Sequence, residues 1–268
     1  MQRNLYGLVV FIFILVVGCD VPVPPPVVGC MDIAASNYNS AAQEEDGNCL
    51  YANNEGLVWS DDFNGSELDA TKWVHETGNG DWGWGNGELQ YYQSENAFVS
   101  DGTLKIVARE ESRGGFNYTS SRIKTDGLFD FRYGTIQARM KTMDGKAFWP
   151  AFWLLPVGGD WPCDGEIDIM EVVNAGTDNQ GVFMAAHYGF EWPLNQITTD
   201  AADVDDASDW HTYALEWSGD YLRWFVDGEH LKTVSKDVYY SYYFKDSTDG
   251  YQLASNPAAP FDQDFNLL

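Results

Sequence analysis

The chain has 268 residues and a formal net charge of −26, with 15 basic against 41 acidic side chains. That surplus excludes nucleic acid and anionic membrane surfaces as partners and favours a neutral ligand over a sulfated or uronic-acid polymer. The length holds one large all-β domain or two small ones, and 11 Trp with 15 Tyr suit a core bordered by an aromatic groove.

Residues 1–18 of "MQRNLYGLVVFIFILVVGC" read as a signal peptide, with a short charged start and an apolar stretch too brief for a membrane span. The ending Val-Val-Gly-Cys resembles a bacterial lipobox. It makes Cys19 the lipidated first residue of an exported, cell-envelope lipoprotein held to a membrane by its lipid. An ordinary signal with a chance cysteine is the alternative. Residues 19–28 are a Pro-rich linker, "VPVPPPVV", with polyproline-II character. Residues 29–51 form a small module bracketed by Cys30 and Cys49, which in an exported chain read as a disulfide. Its acids offer a calcium site, or the module is a stapled spacer.

From residue 57 to 268, short alternating runs separated by turn residues replace any helix-period pattern. This predicts an all-β sandwich of two antiparallel sheets, whose curvature leaves one face as an open groove. "YGTIQARMKT" (133–142) alternates Ile136, Ala138 and Met140 against Gln137, Arg139 and Lys141. "AFWPAFWLLP" (147–156), taken as one strand, sets Trp149 and Trp153 on one face and Phe148, Phe152 and Leu154 on the other. Those indoles are either core or a platform for sugar rings. Cys163 has no obvious partner and is expected to be buried. The run "TTDAADVDDASD" (198–209) reads as a solvated loop. "TYALEW" and "YLRWFVDGEHLKTV" read as strands, with "SGD" and Asp227-Gly228 as their turns.

"GEIDIMEVV" (165–173) carries three acids in a stretch of otherwise buried-strand composition. On a regular strand Glu166 and Asp168 share a face and Glu171 points the other way. A β-bulge near Ile169 and Met170 returns Glu171 to the face of the other two. The outer acids then lie about 13 Å apart at Cα on a flat strand. A retaining glycosidase needs its carboxyls about 5–5.5 Å apart, so the side chains must lean together on a concave strand. In that arrangement Glu166 is the nucleophile, Glu171 the acid/base, and Asp168 the group that shares a proton with the nucleophile. Clustered carboxylates also bind hard cations, so calcium is the structural alternative.

Together with "WPAFWLLP", "GWGNGELQYY" (83–92) and "YTSSRIKTDGLFDFRYGTIQARMK" (118–141), this stretch resembles glycoside hydrolase family 16, and within it the laminarinase-like endo-β-1,3-glucanases. The resemblance covers about residues 57–268. It implies a β-jelly-roll and retaining cleavage of a neutral β-glucan, with no cofactor required, by a chain expected to be a monomer. It assigns the roles of nucleophile, assisting acid and acid/base to Glu166, Asp168 and Glu171. It places Asn86, Glu88, Arg122, Trp149, Trp153, Trp161 and His187 along the sugar subsites. Arg122 in a surface ion pair and His187 as a hydrogen-bonded strand residue are the alternatives. The family continues past the stretch matching "APFDQDFNLL" to a last strand and, in many relatives, a calcium ligand. A chain stopping at Leu268 is therefore expected to lack that strand. Mixed-linkage glucanase, agarase- or porphyranase-like hydrolase, transglycosylase and non-catalytic glucan-binding lectin are the competing functions.

Overall fold

Alternation between apolar and polar residues becomes paired strand over most of the chain from Val74 onward in a computed structural model, which describes residues 25–29, 39, 41–45, 56–143, 145–173, 181–202, 204, 207–246 and 249–268. The chain divides into two units, Met1–Ser60 and Asp61–Leu268. In the first, Val28–Gly29 pairs in parallel with Glu44–Glu45. The expected signal peptide, Cys19, Cys30 and Cys49 lie outside the described residues.

Nine strands of the second unit build two sheets. They are β1 (Gly134–Met140), β2 (Ala151–Pro156), β3 (Glu166–Val173), β4 (Gly181–Tyr188), β5 (Gln196–Ala202), β6 (His211–Trp217), β7 (Tyr221–Val226), β8 (Glu229–Ser235) and β9 (Phe265–Leu267). One sheet runs β1-β6-β7-β8 and the other β5-β4-β3-β2-β9, every pair antiparallel. Because strand side chains alternate between faces, each sheet offers one apolar row. Tyr213, Leu215, Trp217, Leu222, Trp224 and Val226 are buried from the first sheet, and Phe152, Leu154, Ile167, Val172, Val182 and Met184 from the second. The rows meet: the Trp217 ring lies 5.2 Å from Phe265, and the Trp224 indole N–H donates to the Asp168 carbonyl at 2.8 Å. The β7–β8 hairpin turns on Asp227 and Gly228, both left-handed at φ 50° and 81°, which a two-residue turn of this hand requires.

Two expectations are corrected. Residues 198–202 are not loop: they belong to β5, paired with β4 along its whole length. An edge strand has one neighbour and needs ladder bonds more than apolar side chains, and its Thr and Asp residues discourage a further partner. The strand expected over 147–156 begins at Ala151, so Trp149 precedes it. Pro150, lacking an N–H, still accepts from Val172 at 3.0 Å and carries the pairing one step further. Cys163 is free and buried. Strand β9 borders β2, Leu268 exchanges backbone bonds with Trp153 at 2.9 and 3.3 Å, and the far side of β9 is paired with Thr125 and Phe131.

Candidate active site

Strand β3 carries a bulge between Asp168 and Glu171. Asp168 lies opposite Trp153 and Ala185, while Glu171 lies opposite Ala151 and Phe183, so β3 takes three steps where β4 takes two. Ile169 and Met170 share the extra room, and both are buried on the core side. Glu166, Asp168 and Glu171 are thereby left together on the other face. Asp168 forms the floor at 1% exposure, with Glu166 and Glu171 half-buried on either side.

Neighbouring strands supply the surroundings. His187 on β4 lies opposite Glu166, and its Nε2 is 3.3 Å from Asp168 Oδ2. The Trp161 ring sits 5.9 Å from that imidazole. Trp149, half exposed, donates its indole N–H to Glu171 Oε1 at 2.8 Å. The Glu166 and Asp168 carboxyls interact with each other directly. Burial raises all three acids, Glu166 and Asp168 well above the ordinary carboxylate range. The charge of Asp168 adds to this at Glu166, and that of Glu171 adds to it at Asp168. At Glu171 the Trp149 N–H pulls the other way. Three carboxyls this close do not all ionise, so the group holds a proton that its members share.

A second cluster extends from β2. Arg122 lies opposite Glu76 on a short strand pair, with Nε 2.5 Å from the Glu76 carboxylate. Its guanidinium is flanked by Trp84, at 4.5 Å to the ring centroid, and by Trp153, at 4.8 Å. Lys124 holds the other oxygen of Glu76 at 3.0 Å. Trp84 leans on Tyr92, whose hydroxyl donates to Glu88 at 2.6 Å; Gln90 donates to the same oxygen at 2.6 Å. Asn86 reaches the remaining Glu88 oxygen at 3.4 Å. Burial first, and the Glu88 carboxylate second, push the Tyr92 hydroxyl well up.

The sequence-predicted residues thus fall into two linked sets. Trp149, Trp153, Trp161 and His187 surround the three acids, while Asn86 and Glu88 join through Tyr92 and Trp84 to Arg122. Arg122 is ion-paired to Glu76 in a largely buried contact and is also wedged beside Trp153. The sequence reading missed Glu76, Trp84 and Tyr92 as parts of this wall; the aromatic residues within "GWGNGELQYY" were the available signal. Among the described residues, one cluster of three or more His, Cys, Asp or Glu side chains brings its ligand atoms together: Glu166, Asp168 and His187. Calcium takes six to eight oxygens, so a set of two carboxylates and an imidazole does not fit it.

The family model for Glycosyl hydrolases family 16 matches residues 79–252, which contain both clusters apart from Glu76. The chain belongs to this family. Glucan endo-1,3-beta-glucosidase A1 of Niallia circulans is 36% identical over 234 residues, covering 79% of this chain and 33% of that protein. The family 16 chain thus spans about a third of that relative's length. Beta-glucanase of Rhodothermus marinus is 39% identical over 223 residues, 79% of this chain and 73% of the relative. Among solved structures, the catalytic domain of an endo-1,3-beta-glucanase (laminarinase) from Thermotoga petrophila RKU-1 superposes with a TM-score of 0.64 at 38% identity. The match covers 78% of this chain and 83% of that one.

Gly165, just before Glu166, has φ +90°, and a Cβ there would meet Phe261 at 2.9 Å and Pro260 at 3.0 Å. Gly165→Ala is expected to destabilise the fold by about 1–3 kcal/mol and to displace Glu166. A thermal melt that does not move, with turnover unchanged, would show that this turn does not position the acid.

Proposed function

We propose that the chain is a retaining endo-glycoside hydrolase that cleaves laminarin-like β-1,3-glucan by double displacement. The bulged strand carries this reading, because it sets three proton-sharing acids on one face beside exposed indoles. Ionised Glu166 attacks the anomeric carbon as Glu171 gives its proton to the leaving oxygen. Glu171 then takes a proton from water, and that water releases the sugar from Glu166. Asp168 takes the shared proton, which leaves Glu166 free to attack as an anion. The chemistry uses these carboxylates alone. Placement in the cell envelope, with a lipid on Cys19, rests on the sequence pattern of residues 1–19.

Proton NMR of early laminarin digestion tests the reading: the β-anomer should appear first and the α-anomer only by mutarotation. First appearance of the α-anomer would overturn retention. Stronger turnover of agarose or carrageenan than of laminarin would overturn the substrate. Trp149→Phe keeps an aromatic face but removes the donor that holds down the Glu171 pKa. Glu171 should then stay protonated to higher pH, and the alkaline limb of kcat/KM should move up. An unmoved limb would mean that Glu171 is not the group titrating there.

A further inference from the structure

We infer that the floor of the groove binds a divalent transition-metal ion of the zinc type through Glu166, Asp168 and His187, and that the bound ion blocks the acids it ligates. The blocking half rests on the proposed function; the binding half does not. One ligand atom from each residue lies within 4.8 Å of the other two. The set is built by register, since Glu166 faces His187 across the β3–β4 ladder and Asp168 is the next same-face position. The ligands therefore stand on two hydrogen-bonded strands.

A second observation points to a cation. Asp168 Oδ2 is buried, has no hydrogen-bond partner, and is directed at the imidazole 3.3 Å away. A buried carboxylate oxygen left unpartnered is costly, and a metal ion beside it removes that cost. One imidazole and two carboxylates suit zinc, which takes three protein ligands and an exchangeable fourth position at a site open to solvent. Tetrahedral zinc with bonds of about 2.0–2.1 Å sets its donors roughly 3.3 Å apart, so the present atoms need to close by no more than ~1.5 Å. The Glu166 and His187 side chains must supply that closure by rotation. Nδ1 of His187 has no acceptor, so the ring lacks the outer support that tightens a metal site by about 10–100-fold. Micromolar affinity is expected.

The test is calorimetric titration of zinc chloride into the full chain in a non-coordinating buffer, with cobalt absorption as a second readout. One ion per chain is expected, with the intense visible bands of a four-coordinate cobalt site. His187→Ala and His187→Gln, each checked for an unchanged melting curve, should weaken zinc at least tenfold, while His230→Ala, on the opposite sheet, should not. Turnover of laminarin by the wild type should fall in step with occupancy. Binding that survives both His187 variants, or no binding below ~1 mM, overturns the site. Full turnover at saturating zinc overturns the blocking role and leaves the site standing. An inactive chain that still binds one zinc ion through His187 counts against the proposed function, not against the site.

Discussion

Glu166→Ala is expected to lower kcat on laminarin by on the order of 10⁴–10⁶-fold, as loss of a nucleophile does in enzymes that form covalent intermediates. Glu171→Ala should lower it by about 10²–10⁴-fold, the usual contribution of a general acid, and least on substrates with a good leaving group. Azide separates the roles. In the Glu166 variant it fills the nucleophile's place and gives a glycosyl azide of inverted configuration. In the Glu171 variant it intercepts the glycosyl-enzyme and gives the retained product. Glucan binding should survive both changes. Rescue with the two stereochemical outcomes exchanged would reverse the assignment.

The same acids set a pH dependence of stability. Burial raises all three in the folded chain, so that chain keeps protons which the unfolded chain has released. The stability that these three contribute is therefore full below the ordinary carboxylate range and is lost as pH rises through the raised folded values. Asp168→Asn should flatten that loss, so the variant gains on the wild type as pH increases.

Arg122→Ala is expected to lower kcat/KM about 100-fold, chiefly through KM, which corresponds to ~2.7 kcal/mol. The guanidinium is a flat spacer between Trp84 and Trp153, and Glu76 fixes its angle. Each cation–π contact contributes about 0.5–2 kcal/mol, and removing the cation lets both indoles turn. It also leaves Glu76 leaning on Lys124, 3.0 Å from its other oxygen. Arg122→Lys keeps the charge but not the plane, so it should recover only part of the loss. Tryptophan fluorescence should shift in both variants. A lower melting temperature with KM unchanged would make the stack a structural brace with no part in sugar binding.

The face of the three acids was legible because strand parity is strict: once apolar residues claim one side, a three-step interval between acids demands a bulge. Ile169 and Met170, both apolar, marked where it had to be. The Asp227-Gly228 turn was legible for a similar local reason. The Trp84–Arg122–Trp153 stack was not, because its members come from three distant stretches and meet only through tertiary packing. Residues 198–202 misled because an edge strand needs no apolar face, so their composition copies that of a loop. Trp149 was placed on a strand that starts two residues later, yet its indole still reaches Glu171 from the preceding segment.

The hydrogen bond from Trp224 to the Asp168 carbonyl ties the strand of the three acids to the opposite sheet. Repacking the first sheet for heat tolerance therefore also adjusts the backbone on which Asp168 sits. Libraries built around Trp224 should show melting temperature and turnover moving together. Libraries on the outward face of the same strand, at Arg223 or Phe225, should leave turnover where it was.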